Sequence, residues 1–252
     1  MKTFQRLSRS VTCLCLGLLF CLPVKGGDKL EPYKVPMLSP EDALKSFVVA
    51  DGYRMELVAC EPMIEEPVAL AWDGNGRMYV AEMRTYMQEI DGRDQFRPIS
   101  RVVRMEDTNG DGRMDKHTVF VDKLVLPRMI LPLEKEVIIR ETNTLDLWAY
   151  SDHDGDGVAD EKKLWHKGGG RGGNLEHQPS GLIWNIDNWI YTTYSNHRYR
   201  FTRGKAERHS LPGGSGQWGL THDDVGKLYY STAGGEQPAM DFQQPMIYGR
   251  IR

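Results

Sequence analysis

"VALAWDGNGRMYVAE", residues 68–82, reads as two short strands around a tight polar turn. Apolar residues alternate on both sides of "DGNG", and the second glycine supplies the left-handed backbone such a turn needs. The pattern returns without gaps as "SGLIWNIDNWIYTTY" (180–194) and "WGLTHDDVGKLYYST" (218–232). Leu70, Leu182 and Leu220 correspond. So do Asp73, Asn185 and Asp223; Gly76, Asn188 and Gly226; and Tyr79, Tyr191 and Tyr229. "MILPLEKEVIIRETN" (129–143) is a degenerate fourth copy. A second hairpin follows the first copy, the degenerate copy and the 180–194 copy: "SRVVRM" with "KHTVFV", "LDLWAY" with "EKKLWH", and "HRYRF" with "RHSL". Two hairpins make a four-stranded unit. The units begin near 70, 130, 182 and 220, at intervals of 60, 52 and 38 residues. These intervals bracket the blade repeats of ~40–50 residues in β-propellers. The expected fold is therefore all-β, a β-propeller of four-stranded blades. About three and a half blades fit before Arg252, so the chain is expected to be a truncated ring, a fragment or one completed by a partner.

Two of the second hairpins carry near-identical acidic turns, "EDTNGDGRMDKHTVF" (106–120) and "SDHDGDGVADEKKLW" (151–165). Asp107, Asn109, Asp111 and Asp115 occupy relative positions 1, 3, 5 and 9 of the first. Asp152, Asp154, Asp156 and Asp160 occupy the same positions of the second, and glycine stands at 6 in both. Alternating oxygen donors folded round a glycine suit calcium. Position 12 is Thr118 or Lys163 where an EF-hand has glutamate, and the flanks are strands. These are calcium-type loops with a structural purpose, or else plain turns whose residues are the ones hairpins prefer.

The N-terminus adds Lys2, Arg6 and Arg9, an apolar run from Val11 to Val24, and small residues before a cut near Gly27. That is a secretory signal peptide over 1–26, too short to span a bilayer, and no later stretch qualifies as a transmembrane helix. Export to a periplasm or the cell exterior is expected. Cys13, Cys15 and Cys21 leave with the signal, so Cys60 has no disulfide partner. No Cys-x-x-Cys-His occurs, hence no covalent haem. Cleavage also removes Lys2, Arg6, Arg9 and Lys25, leaving 28 Lys+Arg against 35 Asp+Glu, a net charge of −7. This balance argues against a nucleic-acid partner. Residues 27–60 form an N-terminal segment with one short helix, "SPEDALKSFVVA", capped by Ser39. Residues 61–252 form the partial propeller.

Chemistry is best sought in "NLEHQPSGLIWNIDNWIYTTYSNHRYRF" (174–201). His177 precedes the innermost strand of its unit, at the mouth of the central channel. Glu176 beside it, with His197 and Arg198 after the next strand, makes a base with an anion-binding group. "HKGGGRGGN" (166–174) lacks the phosphate-loop order and reads as a flexible lead-in to His177. Trp72, Trp184 and Trp218 recur near blade starts and read as packing groups.

"HQPSGLIWNIDNWIYTTYSN" resembles a stretch of the quinoprotein glucose/sorbosone dehydrogenases, and "MYVAEMR" (78–84) resembles their first blade, with Glu82 and Arg84 matching. "EEPVALAWDGNGRMYVAEMR", "MEDTNGDGRMDKHTVF" and "GQWGLTHDDVGKLYYSTAGGE" more closely resemble a membrane-bound dehydrogenase family of planctomycete-type bacteria, over about Leu38 to Arg252. The resemblance implies a six-bladed ring, pyrroloquinoline quinone (PQQ) and calcium as cofactors, and oxidation of a sugar or other alcohol. It implies His177 as catalytic base, with Arg198, His197 and Arg84 toward the cofactor. Most quinone contacts of those enzymes come from later blades, so missing blades or downstream domains are expected to be needed. The rival is a non-catalytic, calcium-stiffened propeller serving as a binding or scaffold module.

Overall fold

The computed structural model describes residues 36–211 and 216–230 and the backbone of 244–245. The signal peptide expected at 1–26 lies outside the described residues, as does the end of the third repeat copy beyond Tyr230. Among the described residues no helix is long and apolar enough to cross a membrane.

Four antiparallel sheets follow one another along the chain, each a meander in sequence order. The first holds β1 (Pro67–Trp72), β2 (Met78–Glu82), β3 (Ser100–Glu106) and β4 (Lys116–Leu124). The second holds β5 (Pro127–Pro132), β6 (Val137–Glu141), β7 (Leu147–Ser151) and β8 (Glu161–His166). The third holds β9 (Ile183–Trp184), β10 (Ile190–Tyr191), β11 (His197–Thr202) and β12 (Lys205–Ser210). The fourth begins with β13 (Leu220–His222), β14 (Leu228–Tyr230) and β15 (Gln244–Pro245). The sheets do not close into a ring, so the molecule is a partial β-propeller of four-stranded blades.

The three aligned copies fold into one turn, for one reason. The amide of Asp73, Asn185 or Asp223 donates to the carbonyl four residues on, at 2.9–3.0 Å. The amide of Gly76, Asn188 or Gly226 donates back at 2.9–3.1 Å from a left-handed backbone, with φ of 78°, 64° and 79°. Only glycine and asparagine adopt that region at low cost, which is why these types recur. The degenerate copy makes a shorter turn, closed by Leu133 N–H to the Glu136 carbonyl at 2.7 Å.

Cores form between consecutive sheets. Tyr79, Ala81, Val102 and Phe120 meet Ile130, Val137, Ile139 and Tyr150, with the Tyr79 and Phe120 rings edge to face at 5.2 Å. Met129, Ile138, Ala149 and Trp165 meet Leu182 and Ile190. Trp189, Tyr191 and Leu211 meet Leu228. Each buried aliphatic or aromatic side chain contributes about 1.5–3 kcal/mol, so stability is distributed along the seams between sheets. The free face of the first sheet is covered by Val58, Ala59, Met63 and Ile64, packed on Met78, Val80 and Met105.

Helix α1 (Pro40–Ser46) starts as its sequence dictates, with Ser39 Oγ accepting from Asp42 N–H at 3.1 Å, and it buries no residue. Cys60 is a free thiol.

Candidate functional site at the channel entry

The innermost strands β1, β5, β9 and β13 line a cleft of about 700 Å³, the central channel of the partial ring. Its two ends differ. The innermost strands end at Trp72 and Trp184, which are 48% and 43% exposed in the channel wall together with Leu70 at 60%. The expected packing tryptophans are thus half-exposed at these two positions. At the opposite end the lining includes Arg128, Gly181 and Trp218, which lie at or just ahead of the strand starts. Because β2 runs antiparallel to β1, the chain leaving β2 returns to this same end and places Tyr86 there.

His177 lies on the loop leading into β9, and the structure fixes that loop firmly. Arg140, on β6 and 1% exposed, donates through Nε to the Thr144 carbonyl (3.0 Å), through Nη1 to the Pro179 carbonyl, and through Nη2 to Gln178 Oε1 (3.3 Å). Gln178 Nε2 donates onward to the carbonyls of Gly172 (2.8 Å) and Asn174 (2.7 Å). The Ser180 carbonyl accepts the hydroxyls of Thr192 (2.9 Å) and Thr193 (2.8 Å). The glycine run before it is also held, contrary to a flexible lead-in: Asp146 Oδ1 accepts the amides of Gly168 and Gly169, both at 2.8 Å. Gly168 is required by space, since a Cβ there would lie 1.9 Å from the Leu145 carbonyl oxygen. Burial holds the Arg140 guanidinium down to about 10, because its partners are neutral carbonyls and an amide.

On this clamped loop the His177 ring is exposed and stacks on Tyr194, with centroids 5.7 Å apart and planes 25° from parallel. Beside it, the Glu176 carboxylate accepts the Tyr86 hydroxyl from the first sheet. Burial, then that hydrogen bond, pushes the Tyr86 phenol up to about 12, so it stays a proton donor to the carboxylate. An exposed imidazole on an immobilised loop can accept a proton from a ligand hydroxyl, although neither His177 nor Glu176 is among the residues lining the cleft.

The other predicted residues are engaged elsewhere. Arg198, on β11, donates Nη1 to the Tyr191 hydroxyl at 3.1 Å and lies 3.9 Å over the Trp189 ring. His197 Nδ1 is 3.3 Å from Ser195 Oγ, and burial followed by the Arg208 charge lowers its basicity. Arg84 pairs with Glu65 at 2.8 Å. None of these contacts joins them to His177. Sequence reasoning missed Tyr86, Arg140 and Arg128. The last is 1% exposed, and its guanidinium lies 4.6 Å from the Trp218 ring centroid. The available signal was an arginine inside each of the apolar strands "PRMILP" and "VIIRE", where a charge implies a specific partner.

The two acidic loops share one geometry. Asp107 accepts the amides of Gly110 (2.7 Å) and Gly112 (2.8 Å), and Asp152 those of Gly155 (2.7 Å) and Gly157 (2.9 Å). The Gly112 bond is the main reason the Asp107 carboxyl sits below its ordinary value. Asp115 and Asp160 close the loops on the amides of Thr108 (3.0 Å) and His153 (2.7 Å). Both loops clasp the chain that precedes their own sheet, the first the N-terminal segment and the second the first sheet. Met114 N–H bonds the Val58 carbonyl at 2.8 Å, and Ala159 N–H, at the equivalent position, bonds that of Phe120 at 2.9 Å. Arg104, 3% exposed on β3, adds ion pairs to Asp152 (3.1 Å) and Glu106 (3.0 Å). Carboxylate oxygens of Asp152, Asp154 and Asp156 lie within 4.8 Å of one another, a spacing a divalent cation could bridge.

The family described as "Domain of unknown function (DUF7133)" matches residues 39–249. No curated protein matches the sequence. Among solved structures, a gluconolactonase from Xanthomonas campestris superposes with a TM-score of 0.50 at 16% identity, covering 73% of this chain and 61% of that one. The PQQ domain of a pyranose dehydrogenase from Coprinopsis cinerea gives 0.48 at 11% identity, covering 75% and 50%. A calcium-binding protein, regucalcin, from Agrobacterium tumefaciens gives 0.47 at 12%, covering 69% and 56%. The chain spans less than two thirds of each of these, and at such identities the likeness concerns the fold alone.

Proposed function

The chain belongs to the DUF7133 family, and from that premise we propose that it supplies the channel-entry part of an exported propeller enzyme oxidising a sugar or other alcohol. The observation that carries this reading is the exposed His177, ahead of innermost strand β9 on a loop that buried Arg140 immobilises. In the proposed role His177 takes the proton from a ligand hydroxyl, and Tyr194 sets the plane of its ring. The neighbouring Glu176, whose carboxylate accepts the Tyr86 hydroxyl, would favour the imidazolium that results. Immobilising the base in this way lowers the entropic cost of reaching a reactive geometry.

The resemblance implies PQQ as oxidant, and the donor set of the entry end fits a carboxylated group. Arg128, Arg140 and Arg171 interact there electrostatically, and Glu176 is the carboxylate that offsets the charge on Arg128. When bound, the quinone would supply the hydride acceptor. Arg198, His197 and Arg84 would reach such a group only by leaving Tyr191, Ser195 and Glu65. Calcium is proposed for the acidic loops, as a structural ion that stiffens these clasps. The experiment is dye-linked oxidation of aldoses and polyols by the protein supplied with PQQ and calcium. Turnover of at least one supports the reading, and no turnover across the panel refutes it.

The clasp geometry favours a second reading, a calcium-stiffened binding module without catalysis. It predicts sugar binding by calorimetry with no dye reduction.

A further inference from the structure

Arg128 starts on β5 of the second sheet and reaches Trp218, the residue ahead of the fourth. Tyr86 of the first sheet and Glu176, ahead of the third, both act on its charge. Its guanidinium therefore stands where all four sheets converge. Its Nε and Nη1 are buried with no hydrogen-bond partner among the described residues. Arg104, Arg198 and Arg200 each leave Nε unpaired, but the first two are tied through another nitrogen, and Arg200, which lies 4.2 Å over the Trp189 ring, is only partly buried. Arg128 has neither a hydrogen bond nor an ion pair among the described residues, and a buried charge in that state is costly. Glu176 offsets that charge only through space, since its carboxylate takes the Tyr86 hydroxyl and makes no hydrogen bond or ion pair to Arg128. Arg140 and Arg171 increase the positive potential.

We propose that Arg128 is a carboxylate receptor, holding at the channel entry a small molecule that bears this group. Paired N–H groups along the edge of a guanidinium match the two oxygens of a carboxylate, and the Trp218 face behind it fixes the plane. The 700 Å³ cleft admits a molecule of monosaccharide size or larger. The carboxylate can come from a sugar acid or from a carboxylated quinone. The inference rests on the channel entry being a ligand site, as proposed above, but not on oxidation taking place there.

The test is direct binding to the purified protein, followed by calorimetry and tryptophan emission. D-galacturonate and PQQ are titrated beside D-galactose and inorganic phosphate. At least one carboxylate is expected to bind about tenfold or more tighter than D-galactose, a preference that Arg128→Gln removes and Arg128→Lys partly keeps. Galacturonate binding marks a sugar acid as the source, and binding of the quinone alone marks a cofactor. Binding should also change tryptophan emission, and Trp218→Phe should abolish that change while leaving calorimetric binding. This arm decides the matter if Arg128→Gln does not fold. Equal binding of acid and neutral sugar overturns the proposal. So do a preference retained in folded Arg128→Gln, an emission change surviving in Trp218→Phe, and phosphate binding tighter than either carboxylate. Loss of oxidation alone, with carboxylate binding intact, removes the catalytic reading and leaves this one standing.

Discussion

Replacing Arg140 with methionine keeps the apolar stem and deletes the charge that pins the His177 loop. Three hydrogen bonds from a charged donor disappear, each worth about 1.5–3 kcal/mol. Against that, burial has already lowered the guanidinium from its ordinary value to about 10, a penalty of roughly 3 kcal/mol that the variant no longer carries. The balance is a loss of about 3 kcal/mol. For a chain of this length that corresponds to roughly 6–12 °C in melting temperature. The loss should also be local: amide hydrogen exchange across residues 172–180 should accelerate more than exchange in β2 or β3. Chemical denaturation and exchange mass spectrometry read the two effects separately. A melting temperature lowered by less than about 2 °C, with exchange over 172–180 unchanged, would show that Arg140 does not hold the loop.

Other outcomes follow from the same structure. Burial raises the Tyr86 and Tyr191 phenols to about 12, with added hydrogen bonds to Glu176 and Asp187. Folded protein thus keeps protons that the unfolded chain releases near pH 10. The stability this supplies is intact below that pH and is lost as pH rises through about 12. In Tyr191→Phe the alkaline fall in stability should be shallower, and an identical fall would sink the assignment. Calcium at a hundredfold its dissociation constant should add about 2.7 kcal/mol to stability, and the Asp154→Asn/Asp156→Asn pair should lose much of that gain. A melting temperature indifferent to both calcium and chelation would leave the loops as plain turns. Gly168→Ala should cost roughly 3 kcal/mol because its Cβ meets the Leu145 carbonyl, whereas Gly172→Ala, with nothing near, should change stability by less than about 0.5 kcal/mol. Equal melting curves for the two variants would contradict the packing described for the glycine run.

The sheets were legible because the turn has few chemical solutions. A left-handed fourth position needs glycine or asparagine, so Gly76, Asn188 and Gly226 mark three hairpins through otherwise divergent strands. The acidic loops were legible for the same reason. Their inter-unit contacts were not, because the bond from Ala159 to Phe120 is made by backbone groups that every residue carries. His177 was expected at the channel mouth from its position before β9. Its supporting groups come from β6 and from the segment after β2, and a linear pattern gives no sign that Arg140 or Tyr86 arrives there. Arg198 illustrates the converse. Its nearness in sequence suggested a shared site, but β-strand alternation and the Trp189 ring direct its guanidinium into the blade.

The most direct test of the account is steady-state dye reduction by His177→Asn and the parent protein, both supplied with quinone and calcium. His177 is exposed and carries no structural hydrogen bond among the described residues, so the variant should melt with the parent. Its kcat/KM should fall by about 10²–10⁴, the usual contribution of a positioned base. A variant that folds normally and turns over at the parent's rate would contradict the central claim.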